Sequence, residues 1–355
     1  MRWDNIRTSK EGGAATEPLP GIGTGTVVRT FDAPEAMNTR FHEVQARSAL
    51  NAVPPMSYVD FRYTINPYRG CSHACRYCFA RPTHTYLGFN AREDFEREIV
   101  VKVNLPELLR AELRRPSWAR EHVALGTNTD PYQWVEGRYE ITRGIWQELL
   151  AARNPCSVLT KSPLLLRDLD LFKQLTRKVG FTANLSIPTL DKRTWRATEP
   201  ATPHPRKRIE ALAELTAAGV RAGVLVAPLM PGINDSPAQV NEILELCGEA
   251  GAHSVSGIGL HLRGELRAIF LDWLRQYRPE LLPRYERLYE RRAYLPTQER
   301  RRMAGLIPRG RGGGPRSPRR GAPEPELEPA PPRADRSKAV TELPLPAPAV
   351  AQRLF

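Results

Sequence analysis

Long uncharged apolar runs are missing from this 355-residue chain, and its mean hydropathy is −0.45. A membrane-spanning helix needs about 20 consecutive apolar residues, so none is expected. The opening MRWDNIRTSKEGG has no apolar stretch behind its charges, so no secretory signal is expected. Cysteine is scarce, with five in the chain, and three of them fall within eight residues. That distribution does not form a disulfide framework. In a reducing compartment it points to a metal or cluster site, which places the protein in the cytoplasm. Acidic residues are also in deficit, 39 against 52 Lys and Arg, for a net charge of +13. A basic surface favours anionic partners, nucleic acid among them.

What is present suits a globular fold. Hydrophobic residues make up 41% of the chain, enough for a sizeable core. Three segments are distinguished: residues 1–56 as an N-terminal extension, 57–305 as the main unit with C-terminal helices, and 306–355 as a tail. The tail holds eleven Pro and five Gly in fifty residues, a composition expected to be disordered. Nine of its residues are Arg or Lys and five are Asp or Glu, so about +9 of the net charge stays on residues 1–305. In the extension, the Gly-rich run at 19–28 has neither the strand before it nor the helix after it that a dinucleotide loop requires, and it reads as a flexible loop. Residues 37–54 are expected to contain one amphipathic helix ended by Pro54 and Pro55.

From residue 57 onward the pattern turns regular. Candidate strands occupy 61–66, 122–128, 157–162, 181–187, 220–228 and 254–262, with helical patterns between them. The segment 205–219 opens with Pro205 and closes on Gly219. In 234–251 the residues Val240, Ile243, Leu244 and Cys247 recur at helical spacing. Residues 264–304 read as two or three further helices. Six β–α repeats with apolar strands imply a parallel α/β sheet covered by helices, whose chemistry lies at the C-terminal strand ends. The polar residues at 128–130, 161–162, 186 and 234–235 fall there.

The most specific feature is YTINPYRGCSHACRYCFARPTH, residues 63–84, with Cys71, Cys75 and Cys78 spaced Cys-x3-Cys-x2-Cys. Three thiolates on one short loop suit three corners of an iron–sulfur cube and leave the fourth iron open to a substrate. Structural zinc with His73 or His84 as fourth ligand is the duller reading. It lacks the usual second ligand pair.

This spacing, with Tyr77 before the third cysteine, resembles the radical S-adenosylmethionine (SAM) superfamily. Asn66-Pro67-Tyr68-Arg69-Gly70, Phe79-Ala80-Arg81, Gly126-Thr127-Asn128-Thr129-Asp130-Pro131-Tyr132, Leu159-Thr160-Lys161-Ser162 and Pro231-Gly232-Ile233-Asn234-Asp235 further resemble its spore photoproduct lyase, or DNA repair photolyase-like, branch, in an actinobacterial-type subgroup. The resemblance spans roughly residues 57–290. It implies a partial (β/α)6 barrel with extra terminal segments, a [4Fe–4S] cluster on the three cysteines, and SAM bound beside it. The family's Gly-Gly-Glu motif is replaced here by Gly126, Thr127, Asn128, Thr129 and Asp130, which with Tyr77, Lys161, Ser186 and Glu199 become the candidate SAM contacts. The implied reaction is reductive cleavage of SAM to methionine and a 5′-deoxyadenosyl radical, which takes a hydrogen atom from a substrate. A ferredoxin or flavodoxin would supply the electron. The resemblance selects no catalytic side chain, and nucleic acid is one candidate substrate. Neither Cys156, at the start of a strand, nor Cys247, on an apolar helix stripe, suits the hydrogen-returning cysteine of spore photoproduct lyase. Tyr68 and Tyr132 are open candidates for that donor. His261 and Arg263 are candidates for the substrate end.

Overall fold

The computed structural model describes residues 11–19, 23–54, 57, 59 and 61–307. Twelve strands form two sheets: β1 (Glu11–Leu19), β2 (Gly23–Phe31), β3 (Arg40–Val44), β4 (Asn51–Ala52), β5 (Tyr63–Ile65), β6 (Tyr68–Arg69), β7 (Glu98–Lys102), β8 (Val123–Leu125), β9 (Cys156–Thr160), β10 (Phe181–Ser186), β11 (Ala222–Leu229) and β12 (Ser254–Gly259). The larger sheet runs β12-β11-β10-β9-β8-β5-β4. Its strands from β5 to β12 are all parallel and follow chain order, and β4 closes one edge antiparallel. All six expected strands are present. Parallel strands in chain order need a crossover each, and helices Leu105–Leu113, Ile141–Ala151, Leu169–Lys178, Pro205–Ala217 and Pro237–Glu249 supply them.

Two of these helices combine an apolar stripe with a side-chain cap on their orphan N–H groups. Ser236 caps Pro237–Glu249 by accepting from Gln239 N, and Val240, Ile243 and Cys247 face the sheet. His204 caps Pro205–Ala217, whose Ala211, Leu212 and Leu215 are buried. Where Ile141–Ala151 and Leu169–Lys178 meet β10, Phe172 stacks on Phe181 at 4.6 Å and Trp146 stands edge-on to both. Each such ring pair adds about 0.5–1.5 kcal/mol beyond its burial.

Two expectations for the N-terminal segment are corrected. The Gly-rich run at 19–28 is largely strand: β2 pairs antiparallel with β1 and β3. The helix expected within 37–54 is absent, and β3 and β4 stand there instead. The reason is tertiary. β3 runs parallel to β7, Phe41 opposite Ile99, and both its faces are covered. Phe41 packs on Phe31 and Trp134, while His42 Nε2 lies 2.6 Å from a Glu98 carboxylate oxygen. The second sheet, β1-β2-β3-β7-β6, therefore contains strands from both sides of residue 57, and β6 leads directly into the cysteine loop.

The expected C-terminal helices are Glu265–Tyr277, Leu282–Tyr289 and Thr297–Leu306. The last lies on β12, where a Cβ on Gly257 would fall 2.4 Å from Ile307 Cδ1 and one on Gly259 would fall 2.9 Å from Leu295 Cδ1. Of the tail expected to be disordered, 306–355, Leu306 instead ends the last helix, and residues 308–355 lie outside the described residues.

Candidate active site

The cysteine loop leaves β6 through Gly70, whose φ of +78° suits glycine and whose Cβ would press on Ile99 and two backbone oxygens. Cys71 N then donates to Phe95 O at 2.8 Å, and Arg76 N to Thr198 O at 2.9 Å. Gln133, fully buried, accepts from Ser72 N and donates to Gly70 O. The strongest tie is Arg81, which is 1% exposed. Its guanidinium donates to the carbonyls of Ala74, Cys75, Ala91 and Arg92, and it pairs with Glu96. Arg81 reads in the sequence only as part of a motif. Its five-donor fork fits a loop that must offer its carbonyls inward.

Cys71, Cys75 and Cys78 all open on one cavity of about 270 Å³. The ends of β8 to β12 form its other walls, through Gly126, Asn128 and Asp130, Thr160 and Lys161, Ser186, Ala227 and Pro228, and Ile258 to His261. The chemistry thus sits at the C-terminal ends of the parallel strands, as the topology demands. Gly126 permits this packing: at φ +81°, its Cβ would lie 1.8 Å from Leu159 O.

Of the residues singled out in the sequence, Cys71, Cys75, Cys78, Tyr77, Gly126, Asn128, Asp130, Lys161 and Ser186 line the cavity, whereas Thr127, Thr129 and Glu199 do not. Thr129 is buried and donates to Tyr68 O. Glu199 is fully buried, where it accepts from the Tyr77 hydroxyl and pairs with Arg208 at 2.6 Å. Arg208 also donates to Ser186 O, so this network joins the cysteine loop to the end of β10. Asp130 is engaged too, accepting from Thr160 Oγ1, Tyr132 N and Lys161 N, with His73 Nδ1 at 3.3 Å. Lys161 Nζ donates to Ser186 Oγ at 2.8 Å and lies 3.8 Å from Glu199.

The electrostatics follow from burial. Burial alone would lower His73, but Asp130 and Cys71 raise it to about 10. Burial would raise Asp130, but His73 and hydrogen bonds from Thr160 and Lys161 bring it to about 2. The cavity wall therefore holds a buried imidazolium–carboxylate pair beside the cation of Lys161. Burial pushes the thiols of Cys75 and Cys78 upward.

An iron–sulfur group fits this donor set. The three thiols are free and share one cavity, and burial makes the thiolates of Cys75 and Cys78 costly unless metal cations offset it. Among the described residues, no three His, Cys, Asp or Glu side chains close on a point fit for a single metal ion. His84 does not complete a zinc site: it is buried against Phe89 and Phe95.

The residues considered for hydrogen return lie elsewhere. Cys156 is buried at the N-terminal end of β9, and Cys247 is buried on its helix. The Tyr132 hydroxyl donates to Asp168, and that of Tyr68 to Glu136, both outside the cavity. Trp134, Trp146 and Trp195 are packed in the interior. His261 does line the cavity; Arg263 does not. On the opposite rim, His261 is legible in the sequence, whereas Ile258 and Tyr294 are not. There Ile258 is more than half exposed, and His261 stacks at 4.2 Å on the exposed Tyr294; Phe79, next to Cys78 on the cysteine loop, is also more than half exposed.

A partial parallel barrel with three cysteines on its first loop and a polar cavity at its strand ends defines a class of cofactor-dependent enzyme. The family model of the radical SAM superfamily matches residues 65–257, and the chain belongs to that superfamily. It is 46% identical over 312 residues to the uncharacterized protein Rv2578c of Mycobacterium tuberculosis, covering 86% of this chain and 92% of that one. It is 31% identical over 200 residues to the uncharacterized protein MJ0683 of Methanocaldococcus jannaschii, covering 56% and 72%. Among solved structures it is similar in fold to variants of spore photoproduct lyase. One matches with TM-score 0.53 and 15% identity, over 78% of this chain and 81% of that one. Another, solved with AdoMet and dinucleoside spore photoproduct bound, matches with TM-score 0.52 and 16% identity, over 74% and 73%. The superfamily implies SAM, an iron–sulfur cluster and a reductant. Among the described residues, no helix is long and apolar enough to cross a membrane.

Proposed function

We propose that Cys71, Cys75 and Cys78 hold a [4Fe–4S] cluster and that SAM binds in the adjoining cavity, to be cleaved reductively for hydrogen abstraction from a substrate. The observation that carries this reading is the opening of all three thiols onto one cavity walled by five parallel strand ends. The cluster and SAM, when bound, supply the one-electron cleavage and the carbon radical. The chain's part is to bind, orient and shield. Lys161 offers a cation to the SAM carboxylate, and Asn128 and Ser186 offer hydrogen bonds to its polar groups. Asp130 acts by fixing His73 and the backbone of Lys161, since its oxygens are already engaged. Glu199 acts through Tyr77 and Arg208. Leu159, Leu225 and Leu260 exclude water from the reacting volume.

Nucleic acid is the substrate class to test first. The +13 charge and the aromatic and apolar rim of Phe79, Ile258, His261 and Tyr294 support it, since bases stack on such surfaces. The positions of Cys156 and Cys247 favour a product radical quenched by some means other than a protein thiol. Anaerobic reconstitution tests the reading. We expect iron and acid-labile sulfide in the protein and 5′-deoxyadenosine when SAM and dithionite are added. Replacing Cys71, Cys75 and Cys78 with Ala should abolish both. Zinc uptake, or iron and SAM cleavage that survive the triple substitution, would overturn it.

A further inference from the structure

The helix Lys192–Thr198 carries a basic face that the chemistry above leaves without a task. Lys192, Arg193 and Arg196 are exposed, and with Asp191, Ala197 and Tyr277 they line a shallow open groove. Among the described residues none of these three cations has a salt-bridge partner within 4.0 Å, although nearby Arg206 and Lys207 are paired. Two of their fields meet at His204, which burial lowers first and which Arg206, Arg208, Lys192 and Arg196 lower further, while Arg193 acts on Asp191 and Glu280. The groove shares no lining residue with the cavity. Yet the same helix supports the cysteine loop. Its Thr198 O accepts from Arg76 N at 2.9 Å, and Glu199, the next residue, accepts from the Tyr77 hydroxyl. Seven residues of helix span about 10 Å. The basic face therefore stands one short helix away from the thiols, on a side not occupied by the SAM cavity.

We propose that this face docks a small acidic protein carrying a low-potential flavin or iron–sulfur group, and that it is the port by which the electron enters. The inference rests on the radical SAM reading. One electron leaves the donor's reduced group, which is oxidised by one unit, and enters the iron–sulfur group on Cys71, Cys75 and Cys78, which is reduced by one unit. Charge complementarity fixes orientation and speeds encounter, and salt screens it.

The test uses the full chain, cluster-loaded, with a flavodoxin as the probe. In the variant K192E/R193E/R196E, binding of the flavodoxin should weaken by about tenfold or more and lose most of its salt dependence. Bleaching of the cluster absorbance by reduced flavodoxin should slow by a similar factor. Bleaching by dithionite, and 5′-deoxyadenosine formation with dithionite, should stay at the unmodified level, which separates docking from misfolding. A control variant, R114E/R115E/R177E, changes net charge equally at exposed positions entering β8 and β10 and should leave flavodoxin binding within about twofold. The proposal is overturned if the first variant binds and accepts electrons from flavodoxin as well as the unmodified protein. It is equally overturned if the control variant loses as much, or if the groove substitutions abolish binding of a single-stranded oligonucleotide and leave flavodoxin binding intact. Absence of SAM cleavage by the unmodified protein with dithionite would instead overturn the enzymatic reading itself.

Discussion

On the cysteine side of the cavity the charged groups are held from several directions, whereas on the opposite rim the large side chains stand in water. Arg81 reaches four carbonyls and a carboxylate, Asp130 accepts from three donors with His73 beside it, and Lys161 bridges to Ser186. Ile258 and Tyr294 have more than half of their surface exposed. A radical reaction needs its cofactors in one geometry, which multiple ties enforce. A substrate surface gains its contacts only on binding, so the rim stays open until then.

Substitutions on the two sides should therefore behave differently. The largest effect is expected of Gly126→Ala, whose Cβ would strike Leu159 O in a backbone conformation that favours glycine. The protein should lose the folded state in thermal melts, and a variant that melts normally would show that β8 and β9 can separate there. Next comes Arg81→Ala, which leaves Glu96 without its buried partner. A loss of about 3–5 kcal/mol is expected in denaturant titrations, along with failure to retain iron. Arg81→Lys should recover only part of this, because an ammonium cannot make the fork of contacts. A Lys variant equal to the parent would reduce Arg81 to a charge.

Lys161→Met should be milder. Stability should change by about 1 kcal/mol for the lost bond to Ser186, and SAM affinity measured by equilibrium dialysis should fall by about tenfold. Unchanged affinity would move the carboxylate contact elsewhere. The smallest effect on the cofactor side should come from Tyr294→Ala. Its melting temperature should reflect less than about 0.5 kcal/mol, and 5′-deoxyadenosine formation without substrate should match the parent. Binding of a single-stranded oligonucleotide should weaken by about 1–3 kcal/mol if bases stack on this rim. Equal binding would direct the substrate search away from nucleic acid.

The contrast also explains what the sequence could convey. The six barrel strands are legible because each is a short apolar run followed by its own helix, a local pattern. The second sheet is not. β3 reads as part of a helix because Phe41 and Val44 are three residues apart, and its partner β7 lies more than fifty residues onward. Gly257 and Gly259 look like breaks in a strand, yet they make room for Ile307 and Leu295. At the site, the cysteines and Lys161 announce themselves by type and spacing. Gln133 and Glu96 do not, since a surface glutamine or glutamate looks the same in sequence as a buried one holding a loop. Thr129 is legible as a polar residue at a strand end, but whether such a side chain faces a cavity or the wall behind it depends on a single turn of backbone; Glu199 lies past the helix Lys192–Thr198, beyond the end of β10.

β12 is the edge of the parallel sheet, joined only to β11, and apart from Phe79 the rim residues lie on it or after it, between 258 and 294. The groups proposed for cofactor binding lie between 71 and 186. The elements proposed for recognition thus form a nearly contiguous cassette at one margin of the barrel. Such an arrangement is modular: on the proposed reading, exchange of the terminal strand and the turn that carries Tyr294 would change the substrate while leaving the residues proposed to hold the cofactors as they are.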